Sequence, residues 1–402
     1  MSLAKKRVVI DVSNLSIHAK KFIKTGIQEV IYKTLISVVP LRQEFPDLEI
    51  LLLPQLPRRF GNALTGVTTV PYPSPPRFVL ELIEKELDLP SQEVWGIDLR
   101  ARGYVIPEPE LLELYKSADR VHIQGLANVG PLAEVIQCPS LSMTIYDLIP
   151  VIYPEYCPDG IPRWYAKDYL PSVGKHVKHA VCISRNTALD LLANPLTATI
   201  PKVSVLPLPF ELNSHESPHP GLLSKWDLDG TPYLVYLGSL EPRKNFDALL
   251  DGFVTFRRQQ GERSRLKLVL IGSTGWKNAL IEKRIRRSEF SQDIVATGYL
   301  TDADLAQVIR SSAGLAMLSQ YEGYGLPVAQ AYSLGVPVIT TYGSSLPEAC
   351  GSRGIFVEPS DPYSVAGGIA VALGTGPGRG VPDALAGWSW SGYARNLIGA
   401  MG

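Results

Sequence analysis

Twelve short apolar runs, each separated from the next by enough chain for a helix, constrain this sequence more than any other feature. "RVVIDVS" (7–13), "EILLLP" (49–54), "RVHIQG" (120–125), "LSMTIYD" (141–147), "AVCIS" (180–184) and "KVSVLPL" (202–208) form a first series. "YLVYLG" (233–238), "LKLVLIG" (266–272), "IVATGY" (294–299), "GLAMLS" (314–319), "VPVITT" (336–341) and "GIFVEP" (354–359) form a second. Valine, isoleucine and leucine dominate with little polar alternation, as in strands covered by helices on both faces, which implies parallel sheet. Helical patterns such as 245–260 and 301–313 lie between the runs, the latter with Thr301 as N-cap. The expectation is α/β: two Rossmann-like, doubly wound domains facing across a cleft, with ligands at the carboxyl ends of the strands. The first domain spans 1–210, with an irregular, Pro-rich insertion or lid-like part at 55–118, and the second spans 211–385.

Two stretches carry chemistry. In "LSQYEGYGLPVAQAYSLGVPVITT" (318–341), Pro327 suits the start of a helix and Gly335 its end. The helix start beside Gly323 and Gly325 offers N–H groups to a phosphate. Glu322 would be repelled there unless it faces something else, and sugar hydroxyls are the natural partner of a carboxylate acceptor. In "YLGSLEPRKNFDALL" (236–250) a strand ends at Gly238, and Arg243 and Lys244 precede a helix. Two readings fit that loop: a solvated turn capping the helix, or a cationic site that neutralises a departing diphosphate.

Together, "GSLEPRKNFDALLDGF", "TGYLTDADLAQVI", the 318–341 stretch and "SSLPEACGSRGIFVEPSDPYSVAGGI" resemble the family-4 retaining glycosyltransferases of GT-B fold, most of all their mannosyltransferase-type members. The match covers the second domain. Weaker echoes, "TGIQEVIYKTL", "TIYDLIPVIYP" and "HAVCISRNTALDLL", reach the first. The resemblance implies a hexosyltransferase with a nucleotide-diphosphate sugar in the second domain and a saccharide or glycolipid acceptor in the first. It implies that Lys244 and Arg243 ground the diphosphate, that Glu322 touches the donor sugar, and that Gly26 approaches the phosphate and reacting sugar. Donor contacts are further expected from Gly238, Ser239, Gly323, Tyr324, Gly325 and Leu326, and the base is expected against Gly272, Gly298, Tyr299 and Leu300. It also implies that 386–402 is a helix crossing back to the first domain, which gives Trp388 and Trp390 a packing task.

Two positions depart from the family pattern. Its second glutamate, the partner of the ribose hydroxyls, is Gln330 here, and its His-Asp pair in the first domain is Tyr146 and Asp147. Tyrosine can donate or accept a hydrogen bond but does not titrate as imidazole does near neutral pH. GDP-mannose is the expected donor, ahead of GDP-fucose, UDP-glucose and dTDP-rhamnose, for surface polysaccharide or glycoconjugate synthesis. A nucleotide-sugar-binding protein with weakened catalysis is the main rival, and a GT-B sugar-nucleotide epimerase the second.

Composition narrows the classes. Lys plus Arg and Asp plus Glu both number 39, so no global field favours nucleic acid. No metal cofactor is expected, because cations and helix dipoles take the metal's place and no metal motif is visible. His122 reads as a strand histidine, and His176 and His179 as a solvated helix end. The separated Cys138, Cys157, Cys182 and Cys350 fit a reducing cytoplasm. No signal core or long apolar run appears, so the expected location is cytoplasmic, with peripheral contact at the inner membrane face left open.

Overall fold

The computed structural model describes residues 5–13, 26–54, 77–125, 133–134, 140–210, 212, 217–272, 279–351, 354–375 and 388–401. The chain divides into two units, Met1–Leu208 together with Ser389–Gly402, and Pro209–Trp388. Among the described residues, no helix is long and apolar enough to cross a membrane.

The first unit is built on β1 (Lys6–Asp11), β2 (Leu48–Leu53), β3 (Arg120–Ile123), β4 (Leu141–Ile145), β5 (His179–Cys182) and β6 (Lys202–Val205), in the order β2-β1-β3-β4-β5-β6. Every neighbouring pair is parallel. Burial explains the choice: β4 and β5 are buried along their whole length, so both faces need a helical cover. Helix Gly26–Leu41 follows β1, and helix Trp390–Met401 from the far end of the chain packs on it, with Arg395 bound to Glu44 by two hydrogen bonds of 2.7 and 2.9 Å. Helices Arg77–Leu87, Ser91–Trp95 and Glu108–Lys116 lie between β2 and β3. The rest of the Pro-rich part of the expected insertion, 55–76, lies outside the described residues.

One sequence expectation is corrected here. His179 does not end a solvated helix; it opens β5, is buried, and its Nε2 lies 2.8 Å from Ser204 Oγ. Burial and nearby Lys202 push its pKa down to about 4, so it is a neutral strand residue near pH 7. His122 on β3 is likewise buried and satisfied, by Ser142, Gln124 and Thr144. Cys182 and Cys350 are buried free thiols, Cys157 is half-buried, and Cys138 lies outside the described residues.

The second unit is built on β7 (Tyr233–Leu237), β8 (Lys267–Ile271), β9 (Ile294–Gly298), β10 (Gly314–Met317), β11 (Val338–Thr340) and β12 (Gly354–Phe356). Its order, β12-β11-β10-β7-β8-β9, is again wholly parallel. The two-residue period of a strand divides its side chains between two cores. Leu234, Tyr236, Leu268, Leu270, Ala316 and Ile339 pack with helices Phe246–Gln260 and Pro362–Thr375. Tyr233, Val235, Val269, Ile271, Leu315, Met317 and Val338 pack on the other face with Val308, Ile309, Val328 and Ala331. Each large side chain buried this way contributes about 1.5–3 kcal/mol before ordering costs. Gly252 lets the first two helices meet, since a Cβ there would lie 2.2 Å from Val365 Cγ1.

That division positions the site. Strands β7 and β10 are neighbours, yet the helix after β7 covers one face and the helix after β10 covers the other. The carboxyl ends of these two strands are therefore the topological switch point, the place where ligands of such sheets bind.

Candidate active site

At this switch point the loop after β7 carries Arg243 and Lys244 in a short 3₁₀ turn, Pro242–Lys244, and the loop after β10 carries Glu322. Asn245 takes a left-handed conformation (φ 52°), which reverses the chain between that turn and helix Phe246–Gln260. Three donors converge on one oxygen of Glu322. Arg243 Nη1 lies at 3.0 Å, Lys244 Nζ at 3.1 Å and Ser319 Oγ at 2.8 Å, all from Oε1. No described residue hydrogen-bonds Oε2. Burial alone would raise the Glu322 carboxyl, but Lys244, Arg243 and Ser319 more than reverse this and hold it at about 2.

The two cations are not equivalent. Arg243 also donates to the Tyr321 carbonyl, lies 3.5 Å from Glu241 Oε2, and its own carbonyl accepts from Gln320 N–H at 2.9 Å. It ties the β7 and β10 loops together. The Lys244 side chain makes one hydrogen bond among the described residues, to Glu322, and its ammonium has three N–H groups to offer. Gly238, at the end of β7, makes room for it: φ is +141°, and a Cβ would lie 3.3 Å from Lys244 Nζ. Gly272, at the end of β8, is packed in turn on the Gly238 carbonyl, where a Cβ would approach to 2.4 Å. Its N–H donates to the Gly298 carbonyl at 3.1 Å. Bare backbone thus lines the carboxyl ends of β7, β8 and β9, the surface a planar or anionic ligand needs.

The bend after β10 closes at Gly325 (φ 96°), and helix Leu326–Ser333 starts there. Pro327 lacks an N–H, and the N–H groups of Val328 and Ala329 both reach the Gly325 carbonyl. This leaves the N–H groups of Tyr324, Gly325 and Leu326 without a partner among the described residues, at the positive end of the helix. Gln330, one turn further on, is buried at 6% exposure, and its amide makes no hydrogen bond among the described residues. Ser239 is not free, since its hydroxyl donates to Glu241. Tyr299 is exposed, and Leu300 packs on the core.

The first-unit residues are arranged otherwise. Tyr146, just past β4, is buried, and its phenol donates to the Gln124 carbonyl at 2.7 Å. Burial pushes its ionisation far above the ordinary tyrosine range, so it is a fixed donor rather than an acid–base group. Asp147 Oδ1 accepts from Ile149 N–H at 3.0 Å, and its carbonyl accepts from Tyr165 at 3.4 Å. Gly26 opens its helix, whereas the loop before it, 14–25, lies outside the described residues. Sequence reasoning passed over Asp11, which ends β1 wholly buried; burial lifts its pKa to about 6 against hydrogen bonds from Tyr115 and Ser13. A charged letter closing an apolar run was the available signal.

Among the described residues no three His, Cys, Asp or Glu side chains could together hold a metal ion. A cavity of about 670 Å³ in the first unit, whose lining includes Arg77, Glu81, Glu84 and Arg100, gathers no comparable chemistry. Glu84 there is engaged by Trp95, Arg100 and Tyr104.

Comparison with known proteins shows what the chain is similar to. Residues 231–374 match the family described as Glycosyl transferases group 1. O-antigen chain mannosyltransferase B of Escherichia coli is 28% identical over 232 residues, 57% of this chain and 60% of that one. A serotype-specific mannosyltransferase WbdA of Escherichia coli is 26% identical over 212 residues, 48% of this chain and 25% of that one. The matched parts span 60% and 25% of these two relatives, less than two thirds of either. Anabaena HepE in complex with UDP and glucose superposes with a TM-score of 0.57 at 12% identity, over 99% of this chain and 95% of that one. Sucrose-phosphate synthase from Thermosynechococcus elongatus gives 0.56 at 15%, over 99% and 95%. At such identities the likeness speaks for the fold. The chain has the GT-B fold of two Rossmann-like domains, and its residues 231–374 are similar to the family described as Glycosyl transferases group 1.

Proposed function

We propose that this chain is a retaining hexosyltransferase that moves mannose from GDP-mannose to a hydroxyl of a saccharide or glycolipid acceptor in surface polysaccharide synthesis. The observation that carries this reading is the carboxylate of Glu322, anchored through Oε1 by two cations while Oε2 has no hydrogen-bond partner among the described residues. An anion site built from Lys244 and the start of helix Leu326–Ser333 suits a diphosphate, and a carboxylate beside it suits the hydroxyls of the attached sugar. The names of the matched relatives support mannose. Retention, guanine and the acceptor class rest on the family-4 resemblance.

In this mechanism Lys244 and the helix start stabilise the nucleoside diphosphate as its bond to the anomeric carbon breaks. Arg243 holds the two loops at the spacing the diphosphate needs. Glu322 orients the sugar through Oε2, and the acceptor hydroxyl attacks from the face the leaving group vacates and gives its proton to the departing diphosphate oxygen, so that configuration is retained. Asp147 belongs to the acceptor side, Tyr146 beside it in sequence is a fixed donor to the Gln124 carbonyl, and Gly26 approaches the donor phosphate and reacting sugar. Nothing in this scheme requires a metal ion.

The test is calorimetric titration with GDP, UDP, dTDP and their common sugars, without metal and then with magnesium. GDP and GDP-mannose are expected to bind at micromolar affinity without metal. Preference for another base would overturn the donor assignment, and no binding at all would sink the transferase reading. The fixed Tyr146 phenol favours one rival, a nucleotide-sugar binder without turnover. Slow hydrolysis of the bound donor excludes that rival.

Gln330→Glu tests the ribose contact. A charged acceptor hydrogen-bonds hydroxyls more strongly than an amide, by about 1 kcal/mol, so the nucleotide should bind about fivefold tighter. An unchanged dissociation constant for both GDP and GDP-mannose counts against Gln330 as the ribose partner.

A further inference from the structure

We propose that Ser344 and Ser345 are positioning residues for Glu322, setting where its Oε2 meets the donor sugar; this rests on the donor-site reading above. The loop after β11 packs on the neighbouring loop after β10 and binds both the N–H and the carbonyl of Glu322. The Glu322 N–H donates to Ser344 Oγ at 2.8 Å, and Ser345 Oγ donates to the Glu322 carbonyl at 2.9 Å. The same two loops are joined further back, where Thr341 Oγ1 donates to the Ser319 carbonyl at 3.2 Å. Gly343 allows that approach, since a Cβ there would lie 3.1 Å from the Gln320 carbonyl oxygen.

Ser344 holds a left-handed conformation (φ 51°), a conformation that costs a serine energy, and its hydroxyl faces the Glu322 N–H from it. Ser345 is fully buried, so its hydroxyl has no water to exchange for the Glu322 carbonyl. The side chain of Glu322 is fixed at Oε1 by Arg243, Lys244 and Ser319, and its backbone by the two serines. A carboxylate held at both ends has one oxygen in a fixed place. A sugar hydroxyl reads that place, whereas a nucleoside diphosphate without sugar does not. The serines act through Glu322 and touch no substrate in this scheme.

The experiment compares wild type, Ser345→Ala, Ser345→Thr and Ser344→Gly for binding of a nucleoside diphosphate and of its sugar conjugate, using whichever of the GDP, UDP and dTDP pairs the wild type binds best. Ser344→Gly suits the left-handed position and guards against a variant that fails to fold. The expected result is diphosphate affinity within about twofold of wild type, with the extra affinity for the sugar conjugate falling about tenfold in Ser345→Ala and Ser344→Gly and returning in Ser345→Thr. Parallel loss of both ligands, no change in either, or a threonine variant as weak as the alanine one overturns the proposal. A wild type that binds no pair overturns the donor-site reading itself, and the control shows this before any variant is measured.

Discussion

Replacing Lys244 by alanine is expected to lower sugar transfer by about two to three orders of magnitude, the usual cost of removing one preorganised group that stabilises developing charge. The reason lies in the few partners Lys244 has. Its ammonium makes one side-chain hydrogen bond among the described residues, so donor capacity remains for an arriving anion, and the bare backbone of Gly238 leaves that ammonium its room. The fold should survive, because Glu322 keeps Arg243 at 3.0 Å and Ser319 at 2.8 Å when Lys244 is gone. Turnover of GDP-mannose, together with a melting profile, checks both halves. Turnover at the wild-type rate with an intact fold would remove Lys244 from the leaving-group site. Arg243→Ala is a useful contrast, since Arg243 joins the Tyr321 carbonyl, Glu241 and Glu322, and its loss should disturb stability as well as rate.

The fold was legible because the inner strands, such as β4, β5, β7 and β10, are buried almost throughout and so read as mostly apolar runs, whereas the edge strands β6 and β9 are partly exposed. The runs overshoot several strand ends by one to three letters, and the excess letters carry the chemistry: Gly238 and Gly272 lie just past β7 and β8, and Tyr146 and Asp147 just past β4. Glu322, Arg243 and Lys244 stood out by residue type, a carboxylate in a glycine bend and paired cations after a strand, and the switch point between β7 and β10 brings them within ion-pair distance. What stayed hidden depends on contacts between letters far apart in sequence. Nothing local to "GSSLPEA" says that its serines close on Glu322, and nothing in "IYDL" says that the Tyr146 phenol turns back to Gln124. His179 was misread for a related reason: the two histidines of "GKHVKHAV" look alike in composition, yet the chain passes from helix to buried strand between them. Glu241 shows the limit on charge counting, because two cations in sequence become two cations facing two carboxylates in space.

Glu322→Gln should separate the two tasks of the cluster and leave opposite marks on binding and transfer. The carboxylate neutralises part of the charge of Lys244 and Arg243, so its removal frees positive charge for a diphosphate, and GDP should bind as tightly as in the wild type or more tightly. Transfer should nevertheless fall about tenfold or more, because a neutral amide hydrogen-bonds a sugar hydroxyl less strongly than a carboxylate does. Stability supplies an independent check with a definite sign. The carboxyl is held at about 2 in the folded chain against an ordinary 4.5, so its stabilisation is fully present above pH 4.5 and is lost as pH falls towards 2. The linkage amounts to about 3 kcal/mol at neutral pH and to less than about half of that at pH 3. The glutamine variant should therefore melt below the wild type at pH 7, with the gap narrowing as the buffer is taken to pH 3. A gap that does not change with pH would mean that the ion pairs around Glu322 do not hold its carboxylate ionised in solution. Weaker GDP binding together with unchanged transfer would place the sugar contact elsewhere and make the cluster an internal brace of the fold.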